Sequence, residues 1–404
     1  MTRHRGVDMV DMKTPRIRAD WNRRSLVGAG IRCLALASLP PALLRAAEDS
    51  AVRDADPSPV VDAIVRPQTL FAGIRKPIIS RAELEPRIAR LEKACAGRVA
   101  GPLTHIFRFD TPVEGYDSEI GFPVSEPVTT DEVSTHTLRE VHFYSAVHEG
   151  PPDTLHETSR LLHQRLNATG LSPELEQVEV YLQRDPDRPG RSRTQVMVSY
   201  LPWPEVYRAQ LARVLGEDAA REIWAGGDLL TPFTLVDERC LWVAASIERL
   251  KARTTVEQQF DILSRLAVVR PPENILRYKA VYDRGRSIEA VFRALNEDVS
   301  RTRTGGFLDP HRFDGKVLHC SKVPYNREAY LAATTPAERR KAFCFCSLVR
   351  EATDPRIDPI FCYDAAGWAR QLWEPVLGVE FSRCTITHSI LKGDAFCAWD
   401  YHLV

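Results

Sequence analysis

The chain has no excess of charge of either sign, because 54 lysines and arginines balance 54 aspartates and glutamates among its 404 residues. A dedicated nucleic-acid binder usually has a basic excess or a basic face, so this balance argues against a nucleic-acid partner. The body of the sequence also lacks an apolar run long enough to cross a bilayer, which predicts no transmembrane helix in the mature chain. The sequence contains 44% hydrophobic and 27% charged residues, which is the composition of an ordinary globular protein.

The first residues read as an export signal. Asn22-Arg23-Arg24-Ser25-Leu26 opens a weakly apolar stretch that runs to Leu44 and ends in small residues before Glu48. This order is typical of secretory signals, and the paired arginines are similar to twin-arginine signals. We expect residues 1–47 to be the signal, residues 48–59 a flexible linker, and the mature protein to be periplasmic or exported. The alternative is a cytoplasmic protein with a disordered N-terminal tail.

One order of elements occurs twice between residues 60 and 203. The predicted elements of the first half are a strand within 64–74, a helix at 82–95, and strands at 103–109 and 117–124. Those of the second half are a strand at 138–148, a helix at 153–168, and strands at 176–183 and 193–201. The predicted fold class is therefore α+β, with a duplicated βαββ unit forming one curved antiparallel sheet with helices on one face. We expect the other face to line a cleft.

Alternation along a strand predicts which side chains face that cleft. Val178 and Val180 share one face, which we expect to pack under the helices, while Glu179 and Tyr181 share the opposite face. A carboxylate beside a phenol suits a cationic or aromatic ligand, because the carboxylate pairs with charge and the ring stacks. Tyr144, on the polar face of the predicted strand 138–148, is the third candidate ligand-binding residue.

Residues 136–202 resemble the GyrI-like small-molecule-binding domains, which also occur as effector-binding domains of multidrug-sensing transcription regulators. Three stretches carry the resemblance: Tyr144 to Pro151, Val178 to Tyr181, and Thr194 to Pro202. The resemblance implies that Glu179 points into a ligand cleft. It also implies an alternative, since a few members hydrolyse reactive ligands with this glutamate assisting a water. No helix-turn-helix pattern precedes the domain, which disfavours a DNA-binding regulator.

Residues 204–404 are predicted to form a helical segment, broken at Pro271-Pro272, and then a cysteine-rich α+β domain. Two pairs stand out in it: Cys344 with Cys346, and Cys362 with Asp364. Three thiolates and one carboxylate would accept zinc. A thiol, with Cys346 as the candidate, would alternatively act as a nucleophile, and free cysteines are also frequent core residues. The residues alone leave these alternatives open.

This second half resembles proteins grouped with L-2-amino-thiazoline-4-carboxylate hydrolase and with vinyl-reductase-type ligand domains. The resemblance is carried by Cys344 to Cys346, Cys362 to Trp368, and Lys392 to Cys397, and it implies a second small-molecule pocket. The function predicted from the whole sequence is binding of a small organic ligand, cationic or aromatic, in the cleft of the first domain. The alternative is a hydrolase that acts through Glu179 or the C-terminal cysteines.

Overall fold

The structure, a computed structural model, describes residues 59–76, 83–109, 117–185, 187–301 and 312–403. The predicted signal, residues 1–47, and all but the last residue of the predicted linker lie outside these ranges, so both stay predictions. Residues 59–404 form one compact unit. None of the helices in the described ranges combines the length and the apolar character that a bilayer-spanning helix needs.

One antiparallel sheet organises the first part of this unit. Its elements are β1 (Asp62–Arg66), β2 (Thr69–Arg75), α1 (Leu84–Ala94), β3 (Thr104–Arg108), β4 (Asp117–Pro123), β5 (Ser134–Leu138), β6 (Val141–Glu149), α2 (Leu155–Thr169), β7 (Pro173–Gln183) and β8 (Arg193–Tyr200). The eight strands lie in the order β1-β6-β8-β7-β3-β4-β2-β5. The two halves meet at the β7–β3 pair. Outward from it, the order β7-β8-β6 in the second half corresponds to the order β3-β4-β2 in the first half. The predicted α+β class and duplicated βαββ unit are confirmed.

Each half contains one strand more than the sequence predicts. The predicted strand within 64–74 is two strands, β1 and β2, and β5 lies almost wholly before the predicted strand 138–148. Pro67 and Gln68 separate β1 from β2, and Arg139 and Glu140 separate β5 from β6. β1 pairs with β6 of the other half, and β5 pairs with β2. In the strand order, each short connection therefore joins a strand near one edge of the sheet to a strand near the other edge. The three residue steps from Arg66 to Thr69 span at most about 11 Å. The sheet has to curl until its two edges approach each other.

The inside of the curled sheet is filled by its own side chains. Apolar residues from six strands pack together there: Phe71, Ile106, Leu138, Val141, Phe143, Val178, Val180 and Met197. The two helices pack on the outer face instead, α1 on β2 and β4, and α2 on β6 and β8. The prediction that Val178 and Val180 pack under the helices is therefore wrong. Closure of the sheet places both valines inside, and Glu179 and Tyr181 lie on the helix-bearing face.

Helices dominate the second part of the unit. They are α3 (Trp203–Leu215), α4 (Glu217–Ile223), α5 (Val236–Arg253), α6 (Val256–Leu263), α7 (Pro272–Gly285), α8 (Ile288–Arg301), α9 (Arg327–Ala332), α10 (Pro336–Phe343), α11 (Ser347–Glu351) and α12 (Tyr363–Leu377). Pro271-Pro272 does more than break this array, since Pro272 is the first residue of α7. A proline fits that position because its missing N–H has no helical partner there and its φ is already helical.

A small second sheet completes the chain. It consists of β9 (Arg312–Phe313), β10 (Val317–Ser321), β11 (Cys384–His388) and β12 (Ala398–His402), in the order β11-β12-β10-β9. Phe260, Trp373 and Tyr401 belong to the large apolar cluster that joins this sheet to the helices. The two parts of the unit are also tied by polar contacts. Arg239 Nε donates to the carbonyl of Thr169 at 2.9 Å, and Arg350 Nη2 donates to Asn167 Oδ1 at 3.2 Å.

Candidate functional site

The first candidate site lies on the outer face, between the two helices. Because α1 covers β2 and β4 and α2 covers β6 and β8, the central strands β3 and β7 form the floor between them. The strand register sets Glu179 opposite His105 and Gln177 opposite Phe107. We call these four residues, together with Tyr181, the groove.

The groove holds a carboxylate and a phenol that contact each other. The hydroxyl of Tyr181 donates to Glu179 Oε2 at 3.1 Å, and both side chains are half-buried. The Tyr181 ring also packs against the apolar cluster of α1. On the other side, Ser159 of α2 donates to Gln177 Oε1 at 3.0 Å. The floor of the groove is therefore positioned by both helices, and the sequence prediction that Glu179 and Tyr181 share a face is confirmed.

Two aromatic side chains from the other half complete the groove. The rings of His105 and Phe107 have centroids 4.0 Å apart, and His105 is buried while Phe107 is half-buried. Burial, and secondly the nearby charge of Arg87, lower the pKa of His105 to about 3, so its imidazole is neutral at physiological pH. The sequence interpretation missed both residues. Alternation along the predicted strand 103–109 places His105 and Phe107 on the same face of that strand. Only the pairing of the two halves, which the sequence does not show, brings this strand beside Glu179.

Tyr144 lies outside the groove, which corrects its predicted role in ligand binding. It belongs to β6, which β8 separates from β7, and it is fully buried under α2. Its hydroxyl contacts the carbonyl of Pro232 and lies 3.2 Å from Thr169 Oγ1, and its ring stacks on Phe233. Burial raises the pKa of this phenol. Tyr144 thus joins the sheet to the helical part instead of facing a ligand.

A second cluster of chemical groups forms where α10, α11 and α12 meet. Cys344 follows α10, Cys346 precedes α11, and Cys362 and Asp364 flank the start of α12. All four are half-buried and close enough for their charges to interact. The structure therefore brings together the residues that the sequence proposed as ligands.

Burial changes the ionisation of this cluster. Burial raises the pKa of Cys344 to about 12 and that of the Asp364 carboxyl to about 6. The nearby charge of Lys322 lowers both pKa values, but its effect is smaller than that of burial. The Oδ1 atom of Asp364 is buried and has no hydrogen-bond partner among the described residues. Within the described ranges, no group of three or more histidines, cysteines, aspartates or glutamates is arranged to hold a metal ion. The zinc site of Cys344, Cys346, Cys362 and Asp364 stays a prediction.

Cys397 joins this cluster from the position directly before β12 and is buried. It accepts a hydrogen bond from the thiol of Cys362 and one from the N–H of Ile390 at 3.4 Å. These bonds and the charge of Lys322 outweigh burial and lower the pKa of Cys397 to about 7. Cys362 also lies 3.1 Å from Ser389 Oγ. Cys397 was not among the predicted site residues, although it ends one of the stretches that carry the second resemblance.

Three solved structures that resemble this chain each match between a third and two fifths of it. No protein-family model matches the sequence, and no curated protein is similar to it. Among solved structures, the EcmrR C-terminal domain is 16% identical with a TM-score of 0.30, over 35% of this chain and 97% of that domain. SAV2435 bound to tetraphenylphosphonium is 10% identical with a TM-score of 0.27, over 36% and 96%. A hydrolase from Listeria innocua is 15% identical with a TM-score of 0.26, over 39% and 98%.

Proposed function

We propose that the groove binds a small organic molecule with cationic or aromatic character. The observation that carries this proposal is the pair formed by Glu179 and Tyr181, hydrogen-bonded, half-buried and directly beside His105 and Phe107. Resemblance of residues 136–202 to GyrI-like small-molecule-binding domains supports the same function.

The chemistry of the groove favours this class of ligand. A cation gains from a carboxylate that is partly shielded from water, and it is also attracted to the faces of aromatic rings. Tyr181 and Phe107 offer such rings, and neutral His105 adds a flat surface without a repelling charge. Few, well-placed polar groups among apolar and aromatic walls are the usual composition of a small-molecule site.

Calorimetric titration with a permanently charged aromatic cation, tetraphenylphosphonium, tests the proposal. We expect Glu179→Gln to weaken binding by about 1–3 kcal/mol, because it removes a Coulomb attraction between two unit charges about 6 Å apart at an effective dielectric constant of about 20 to 50. Phe107→Leu keeps an apolar side chain but removes the ring, so it should also weaken binding, by about 1 kcal/mol.

The matched control is Glu149→Gln, which removes the same charge from an exposed glutamate at the far end of β6. This variant should bind the cation as the unaltered protein does. Equal affinity of Glu179→Gln and Glu149→Gln would remove Glu179 from the site and contradict the proposal.

A second candidate function, hydrolysis through a thiol, rests on the surroundings of Cys397. A thiolate is the nucleophilic form of cysteine, and a pKa near neutrality makes it available at physiological pH. In such a reaction the Cys397 thiolate would bond to the carbonyl carbon of an ester or amide, and the bond from that carbon to the alcohol or amine would break, with the leaving group taking a proton from solvent. Water would then cleave the thioester and restore the thiolate. The resemblance of the C-terminal half to L-2-amino-thiazoline-4-carboxylate hydrolase supports this candidate.

A further inference from the structure

A cavity separate from the groove opens at one end of the curled sheet. Its volume is about 370 Å³, and it is covered by residues 268–273, which lead into α7. The wall from the sheet comes from strand ends, since Arg66, Arg75 and Arg108 are the last residues of β1, β2 and β3. Mouths of closed or nearly closed sheets are a frequent place for small-molecule sites.

Arginines dominate the wall of this cavity. Five of them line it, against three glutamates: Arg66, Arg75, Arg108, Arg139 and Arg270, with Glu174, Glu176 and Glu273. Most guanidiniums are held by a carboxylate at hydrogen-bond distance: Arg66–Glu176 at 2.5 Å, Arg75–Asp117 at 2.6 Å, Arg75–Glu273 at 2.6 Å, Arg108–Glu119 at 2.7 Å and Arg139–Glu174 at 2.8 Å. Arg270 lies over the ring of Trp368, with its Cζ atom 4.1 Å from the ring centroid. The arginines are thereby fixed in place before any ligand arrives.

Two of these arginines keep donors in reserve. Arg66 Nε and Arg108 Nη1 are buried, and neither has a hydrogen-bond partner among the described residues. A guanidinium carries five N–H donors, and a carboxylate occupies two of them at most. A buried charged donor without a partner is unfavourable, so an acceptor that reached these N–H groups after a small shift of the side chains would be stabilised.

The remaining wall of the cavity indicates what the acceptor is attached to. Apolar side chains lie beside the arginines, among them Leu138, Leu175, Val268 and Val269. The first turn of α7, with Pro272 and Glu273, also borders the cavity, so the positive end of the helix dipole lies beside it together with the Glu273 carboxylate. A free inorganic ion would use only part of this surface.

We propose that this cavity binds an organic anion, with a carboxylate or phosphate group against Arg66 and Arg108 and an apolar body against Leu138 and Val269. The site differs from the groove in place and in charge preference. It lies at the end of the sheet interior, whereas the groove lies on the outer face between α1 and α2.

Titration calorimetry with benzoate and phenyl phosphate, at low ionic strength, tests this inference on the full chain. The two probes share an apolar ring and distinguish a planar carboxylate from a phosphate monoester. Val269, 55% exposed on the rim, allows charge to be changed without disturbing the buried pairs. Relative to Val269→Gln, we expect Val269→Lys to tighten and Val269→Glu to weaken binding by roughly 3- to 10-fold, and both effects to shrink in ~1 M salt.

A second variant tests the contribution of the Arg108 guanidinium. Arg108→Lys keeps the charge beside Glu119 but removes the planar fork, so affinity for the better probe should fall by about 10-fold or more. Arg193→Lys, at an exposed pair with Glu149 remote from the cavity, is the matched control and should change nothing. If Arg108→Lys fails to fold, the Val269 series decides alone.

The inference is overturned if neither anion binds in a saturable manner, or if affinity is the same across the three Val269 variants. Binding of the anions should be unchanged in Glu179→Gln. This separates failure of the anion site from failure of the proposed groove.

Discussion

At the residue scale, Cys397 differs from the seven other described cysteines in its hydrogen bonds. The thiol of Cys362, the Ile390 N–H and the charge of Lys322 all favour its thiolate, which lowers its pKa to about 7 against an ordinary value of 9.0. We expect its alkylation by iodoacetamide, followed by mass spectrometry, to have a midpoint at a pH below that of an ordinary thiol. Cys362→Ala removes the strongest of these interactions and should move that midpoint upward. An ordinary thiol midpoint in the unaltered protein would contradict this account.

His105 makes a different prediction, because its lowered pKa affects stability. The unfolded chain takes up a proton near pH 6.5, whereas folded His105 does so only near pH 3. The unfolded state therefore binds more protons between these values, and the free energy of unfolding falls as the pH drops below 6.5. The contribution of one such group is about 1.4 kcal/mol per pH unit.

Urea unfolding at a series of pH values between 7 and 4.5 measures that contribution. His105→Gln should show a smaller loss of unfolding free energy with acidification than the unaltered protein. His156→Gln, at an exposed histidine of α2, is the control and should keep the full dependence. Identical pH dependence in both variants would show that His105 is not the titrating group.

Residue types predicted part of the groove but not all of it. Alternation correctly placed Glu179 and Tyr181 on one face, since that periodicity is local. Alternation did not indicate which face of the sheet packs against the helices, because apolar side chains are buried on both faces. His105, Phe107 and Cys397 come from distant positions in the chain, and only tertiary pairing brings them to their sites.

At the scale of elements, α12 approaches the end of α6 so closely that one position accepts only glycine. A Cβ atom at Gly367 would lie 1.9 Å from the carbonyl oxygen of Ser264, and a backbone atom cannot turn aside as a flexible side chain can. We expect Gly367→Ala to lower the free energy of unfolding by about 3 kcal/mol, measured by urea denaturation. Gly190→Ala, where a Cβ meets nothing within 4 Å, should stay within about 0.5 kcal/mol of the unaltered protein. A similar small effect at Gly367 would mean that the two helices separate easily.

Helices were predicted better than strands for a physical reason. Apolar spacing along α1 and α2 reports a continuous local element, and their predicted ranges, 82–95 and 153–168, match closely. The strands β1 and β2 also read as one apolar run, although the chain passes from one side of the sheet to the other at Pro67-Gln68. That crossing depends on closure of the whole sheet, which a local pattern does not contain.

At the scale of the whole molecule, curling of the sheet separates two kinds of surface. The outer face carries the groove, with an acidic and aromatic floor between α1 and α2. The end of the interior carries arginines beside apolar side chains, closed by the segment before α7. A single sheet therefore offers sites of opposite charge preference, and the helical part contributes a wall to the second of them.

A structure of the protein bound to tetraphenylphosphonium tests the central claim most directly. We predict that the cation lies in the groove, with a phenyl ring against Phe107 or Tyr181 and its charge facing the Glu179 carboxylate. A cation found elsewhere on the protein, or a groove that stays empty at concentrations that saturate calorimetric binding, would contradict the account.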